Sequence, residues 1–123
     1  MIDFQNPEMI RLHETKDDFA KIINPILIDG EEISVAYKSV RDGVVFTNKR
    51  MIVISVQGVT GKKKNITSLP YNRIQTFSVE TSGVFDLDTE LELWFSGLGK
   101  VLLEFSGHTD VKKVCKLIST HAL

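Results

Sequence analysis

The residues that could do chemistry are few, and their spacing converges nowhere. His13, His108 and His121 are scattered along the chain, without the close pair a zinc site needs. Asp86 and Asp88 form a two-carboxylate pair in a polar stretch, too few oxygens for a full calcium shell. Cys115 is the single cysteine. It rules out an internal disulfide, fits a reducing compartment, and falls on an apolar helical stripe where a small core residue is expected rather than a nucleophile. There is no glycine-rich phosphate loop and no nucleophile elbow. The expectation is therefore no catalytic residue, no metal and no cofactor.

Two surface groups remain. Lys62, Lys63 and Lys64 are consecutive, and Lys49 and Arg50 sit at the tip of a hairpin. Such a group could hold a phosphate or an anionic lipid headgroup. Lysines on an edge strand also guard it against unwanted pairing, and a charge run is usually a solvated face. The second group is Trp94 with Leu102, Glu92 and Glu104 on the last hairpin. An outward Trp can be a loosely exposed side chain, a core residue if the register is shifted, or an interface anchor, a role in which aromatic residues are enriched.

Strands must position both groups. Gly43 to Ile54 reads as a hairpin, with two β-branched apolar runs around the polar break Thr47-Asn48-Lys49-Arg50. Its second arm, Met51 to Val56, is apolar on both faces, although a solvent-facing antiparallel strand is normally polar on one. One face must therefore pack on the core and the other needs a second cover, either an N-terminal helix or a partner chain; Met51, Ile52 and Ile54 are candidate oligomer-interface residues. In the last hairpin Leu91, Leu93 and Phe95 alternate with Glu90, Glu92 and Trp94, and Val101, Leu103 and Phe105 alternate with Lys100, Leu102 and Glu104. A Gly97-Leu98-Gly99 loop sets Trp94 opposite Leu102 and Glu92 opposite Glu104. Facing carboxylates cost roughly 0.2–1 kcal/mol, which a cation from a neighbouring copy would relieve.

The other elements follow in order. Residues 1–14 are left irregular. A helix is expected from Thr15 as N-cap, through Phe19, Ile22 and Ile23, to about Asn24 before Pro25. Ile33, Val35 and Tyr37 mark the first strand. Asn65 to Leu69 is a strand ended by Pro70, Tyr71 to Ile74 one helical turn or a bulge, and Gln75 to Glu80 a strand with Phe77 and Val79 inward. Thr109 and Asp110 open a C-terminal helix with Val111, Val114, Cys115, Ile118 and Ala122 on one stripe. The division is an N-terminal extension (1–27), a β-rich body (28–107) and a capping helix (108–123).

Length and charge narrow the function. The 123 residues suit one domain with one core. A net charge of −1 supplies no global attraction to nucleic acid or lipid. The start of the sequence does not read as a signal peptide, and no apolar run approaches the ~20 residues of a membrane span. The expected setting is the cytoplasm.

About seven antiparallel strands followed by one amphipathic helix is the order of a pleckstrin-homology (PH)-like barrel. Local words narrow the match: Arg41-Asp42 with Phe46-Thr47-Asn48-Lys49-Arg50, then Thr60-Gly61-Lys62-Lys63, Ser68-Leu69-Pro70-Tyr71 with Ile74, and Phe77-Ser78-Val79-Glu80-Thr81. From about Leu27 to its end the chain resembles the bacterial pleckstrin-homology domain family. The resemblance implies a mainly β (α+β) fold, a partly open barrel of two orthogonal sheets capped by the helix. It also implies cyclic homo-oligomers, typically pentamers, that serve protein–protein interaction, with no assigned enzymatic activity. The connection around Val40 to Gly43 is short and poor in cations, unlike the phosphoinositide-binding loops of eukaryotic PH domains. The resulting expectation is a non-enzymatic module that binds itself and an unknown protein partner, not nucleic acid. Anionic-membrane binding through Lys62, Lys63 and Lys64 is the alternative.

Overall fold

The computed structural model describes residues 12–15, 18–40, 42–81, 89–106 and 111–123. Period-two patterning gives an antiparallel meander of β2 (Ile33–Lys38), β3 (Gly43–Thr47), β4 (Arg50–Gln57) and β5 (Lys63–Pro70). A three-residue strand, β1 (His13–Thr15), pairs with β2 and completes a five-stranded sheet in the order β1-β2-β3-β4-β5. Pro70 ends β5, and one 3-10 turn, Tyr71–Arg73, swings the chain into a second sheet. That sheet holds β6 (Ile74–Thr81), β7 (Thr89–Phe95) and β8 (Gly99–Phe105), in order.

The inner faces of both sheets share one core. Val35, Tyr37, Val44, Phe46, Met51, Val53 and Leu69 meet Leu91, Leu93, Phe95, Val101, Leu103 and Phe105. The Tyr37 ring packs edge-on against Phe105 at 4.7 Å and Phe46 at 5.9 Å. Helix α2 (Val111–Ala122) presses Val111, Val114 and Ile118 into the same cluster, as its apolar stripe requires.

The other face of the first sheet is also apolar, and the chain covers it itself. Ala36, Val45, Ile52 and Ile54 form a second cluster with Phe19 and Ile23, which come from the one-turn helix α1 (Ala20–Ile23) and the residue before it. Phe19 lies directly on Gly43, where an added Cβ would overlap its ring edge. Asp18 pairs with Lys38 beside it.

Leu12 joins the two sheets. Its N–H donates to the Glu104 carbonyl (2.8 Å) and its carbonyl accepts from the Ser106 N–H (2.9 Å), while the next three residues pair with β2. The N-terminal segment thus stitches β2 to β8. The two sheets are not closed into a barrel: β5 and β6 end their sheets with no strand on their outer sides among the described residues.

Four expectations change. Thr15 lies in β1 rather than capping a helix; α1 starts at Ala20 and a 3-10 turn, Asn24–Ile26, accommodates Pro25 early in its turn. Described strands number eight, because β1 is too short to show a period. Val79 sits on the inner side of β6 opposite Leu91 but is exposed, because β6 is an edge. The last hairpin turns through Ser96, Gly97 and Leu98, so Phe95 faces Gly99, Trp94 faces Lys100 and Glu92 faces Leu102. That shift of two residues preserves every face. Arg41, Asp86, Asp88, His108, Thr109 and Asp110 lie outside the described residues.

Substituting Gly43→Ala should displace Phe19 and cost about 1–3 kcal/mol, the usual scale of overpacking. In a Phe19→Ala background the same change should cost much less, because the ring it meets is gone. Chemical denaturation of the four proteins of this cycle measures the difference; equal costs in both backgrounds would refute the contact.

Candidate interaction surfaces

The hairpin tip carries the densest polar network of the described residues. Glu31 has a fully buried side chain that faces Arg50. The guanidinium grips it with two bonds, Nε to Oε2 at 2.9 Å and Nη2 to Oε1 at 3.0 Å. Thr47 Oγ1 donates to Oε2 at 2.6 Å and the Ile28 N–H to Oε1 at 3.1 Å. Arg50 gives two of its three remaining donors to Ser68 Oγ (2.8 Å) and the Ile26 carbonyl (3.0 Å). Asn48 ties the same loop from the other side, accepting from the Glu32 N–H and donating to the Gly30 carbonyl. Tyr71 closes the group, its hydroxyl donating to the Thr47 carbonyl at 2.7 Å and its ring stacking on His121 of α2.

The electrostatics follow from these contacts. Burial alone would raise the Glu31 pKa, but the donors from Arg50, Thr47 and Ile28 outweigh it and hold the carboxyl at about 2. Burial, with the Glu31 charge, pushes the Tyr71 hydroxyl up. Both groups keep a single charge state across ordinary pH. Arg50 is thus a committed structural cation rather than a free one at the tip. The sequence order of Glu31, Thr47, Asn48, Arg50, Ser68 and Tyr71 shows nothing of their meeting, which only the topology produces.

The basic group divides. Lys62, Lys63 and Lys64 are exposed at the start of β5, and Lys64 Nζ donates to the Gly61 carbonyl at 3.3 Å. Lys49 is exposed too, but at the far end of the ladder, where Arg50 pairs with Pro70 while Gln57 pairs with Lys63. At ~3.3 Å per residue the two sets stand roughly 20 Å apart. They do not form one anion site.

The outer face of the second sheet is centred on Trp94, which is 45% exposed. Lys100 Nζ lies 5.9 Å from its ring centroid and 3.2 Å from Glu92 Oε1. The expected Glu92–Glu104 opposition is replaced: Glu104 faces Glu90, which faces Glu80 on its other side. Leu102 is half-buried opposite Glu92. Met51, Ile52 and Ile54, read from sequence as an interface, are buried inside the chain; Met51 joins the main core and the two isoleucines pack under α1. Cys115 is half-buried, and burial raises its thiol pKa. No group of three or more His, Cys, Asp or Glu converges on a metal position among the described residues. No described helix is long and apolar enough to cross a membrane.

Two meander sheets around a core capped by a C-terminal helix are the layout of a PH domain. The sequence profile of the bacterial PH domain matches residues 4–122. The chain belongs to the bacterial PH domain family. This PH domain is 46% identical over 96 residues to the uncharacterized protein YjqA of Bacillus subtilis (strain 168), covering 76% of the chain and 77% of YjqA. Its fold is similar to the crystal structure of a DUF1696 family protein with a pleckstrin-homology domain from Shewanella loihica PV-4. That match has a TM-score of 0.79 at 44% identity and covers 93% of this chain and 99% of that one. A pleckstrin homology domain from Shewanella amazonensis SB2B matches with a TM-score of 0.63 at 49% identity, over 86% and 89% of the two chains.

Two of the words that carried the family resemblance, Phe46-Thr47-Asn48-Lys49-Arg50 and Ser68-Leu69-Pro70-Tyr71, supply most of the side chains around Glu31. Arg50→Met should destabilise the PH domain by on the order of 3 kcal/mol, since it strands a buried carboxylate. Glu31 adds a pH signature. Its folded pKa of about 2 lies below the ordinary 4.5, so its stabilisation is complete above 4.5 and fades as pH falls towards 2. Urea unfolding from pH 7 to 2 should show that loss in the parent and a flatter profile in Glu31→Gln. Parallel profiles would remove Glu31 as the source.

Proposed function

We propose that this PH domain is a non-enzymatic interaction module of the cytoplasm. It assembles head-to-tail into a closed ring of identical copies, a pentamer by the family resemblance, whose composite surface binds a partner protein. The observation that carries the reading is Trp94, a large aromatic held out at the centre of an open sheet face rather than buried. Aromatic side chains of this kind are enriched among interface anchors, and truncating an anchor costs ~2 kcal/mol or more. A ring needs a heterologous contact, with different surfaces meeting at each joint. The separation of exposed lysines on β5 from carboxylates on the second sheet supports that asymmetry.

Light scattering at tens of micromolar should give one mass several times the 13.9 kDa of the chain. Trp94→Ala should weaken assembly by on the order of tenfold or more, equivalent to ~1.4 kcal/mol or more. A monomeric parent would sink the assembly reading. An unchanged mass in the variant under dilution would remove Trp94 from it. The competing reading, peripheral binding to anionic membranes, is favoured by the exposed run Lys62, Lys63 and Lys64. It requires salt-sensitive sedimentation with acidic liposomes that disappears when all three become glutamine.

A further inference from the structure

We infer that the overhanging tip of the β4–β5 hairpin is a docking site for an acidic segment of a partner protein. This rests on the interaction role proposed above and names the partner's chemistry. The overhang follows from the register. The β3–β4 ladder runs from Phe46 opposite Met51 to Gly43 opposite Ile54, whereas the β4–β5 ladder continues three pairs further, to Gln57 opposite Lys63. At ~3.3 Å per residue the hairpin stands about 10 Å clear of β3. Its base is fastened on the β3 side, where Asp42 Oδ1 accepts from the Val56 N–H at 3.2 Å.

Two features of this end suit a partner. It is apolar where contact with water is greatest. Val59 at the hairpin tip and Val40 at the tip of the β2–β3 turn are the most exposed large hydrophobic residues of those described, at 104% and 99%. Neither belongs to a core cluster. The meander order sets both turns at the same end of the first sheet, and the Asp42–Val56 bond ties one turn to the other hairpin. The charge of this end is also unbalanced. Lys62, Lys63 and Lys64 are exposed and form no ion pair among the described residues. No Asp or Glu occurs between Asp42 and Glu80, so β3, β4 and β5 offer them no counter-charge. Asp42 itself is buried and already accepts from Val56. Carboxylates spaced around an aliphatic side chain complement this array of ammonium groups beside two valines. A lipid surface fits it less well, because interfacial anchoring draws on Trp and Tyr and the stretch from Ser55 to Asn65 has no aromatic residue. The same lack leaves no platform on which the bases of a single-stranded nucleic acid could stack.

Fluorescence anisotropy with fluorescein-labelled octaglutamate tests the charge match. The parent should bind it, with affinity falling as salt rises, because exposed charges are screened. The combined variant Lys62→Gln, Lys63→Gln, Lys64→Gln should bind about tenfold more weakly or worse. The variant Lys112→Gln, Lys113→Gln, Lys116→Gln removes the same charge from α2 and should bind as the parent does. Exchanging two glutamates of the probe for leucine should tighten binding to the parent, and not to Val40→Ser with Val59→Ser. Four outcomes overturn the inference: no binding by the parent at low salt, equal losses in the two lysine variants, a leucine gain that survives loss of both valines, or binding to acidic liposomes without binding to octaglutamate. Light scattering separates this inference from the assembly reading. The Lys62, Lys63, Lys64 variant should keep the parent's mass; a smaller mass would place these lysines between copies and overturn the docking site. A monomeric parent that binds octaglutamate through the three lysines would remove the ring and uphold the site.

Discussion

The grip of Arg50 on the buried Glu31 carboxylate is the contact the rest of the structure depends on. A carboxylate without access to water is tolerated only when its oxygens are fully satisfied, and here four donors supply that. The consequences spread outward along the chain. The guanidinium also holds the Ile26 carbonyl and Ser68, so the α1 segment, the β3–β4 hairpin and β5 are fixed to one planar group. Tyr71 carries the linkage to the start of the second sheet and, through His121, to the end of α2. Every layer of the PH domain touches this network within one or two contacts.

A second constraint is the two-faced first sheet. All five residues of β3 and four of the eight in β4 are buried, so a cover on the outer face is obligatory. One short helical turn suffices, because Gly43, without a Cβ, lets the Phe19 ring edge come down onto the backbone. The same N-terminal segment, through Leu12, ties β8 to the first sheet. One seam of the PH fold is therefore closed by the chain, whereas among the described residues β5 and β6 have no strand on their outer sides.

Much of this was legible in the residues. Alternation located β2 and the strands of the second sheet, because one buried face per strand imposes a period of two; apolar runs around a polar break located β3 and β4, and the apolar stripe located α2. The demand for a cover over Ile52 and Ile54 was correct, yet sequence could not say that this chain meets it. That depends on Phe19 meeting Gly43 across the fold. The last hairpin was misregistered by two residues because Gly97 and Gly99 both adopt positive φ, so either could lie in the turn. Arg50 read as a surface cation because its partner, Glu31, lies nineteen residues away and in an unremarkable context. Trp94 was placed correctly on the outer face, since a two-residue slip leaves faces unchanged.

The central functional claim is that this PH domain closes into a ring through unlike surfaces. Native mass spectrometry across a dilution series tests it most directly, because it resolves every stoichiometry present. The account predicts one dominant species at a fixed multiple of 13.9 kDa, with few intermediates, since each open assembly lacks the closing joint. A monomer at all concentrations, or a dimer that grows no further, would contradict it.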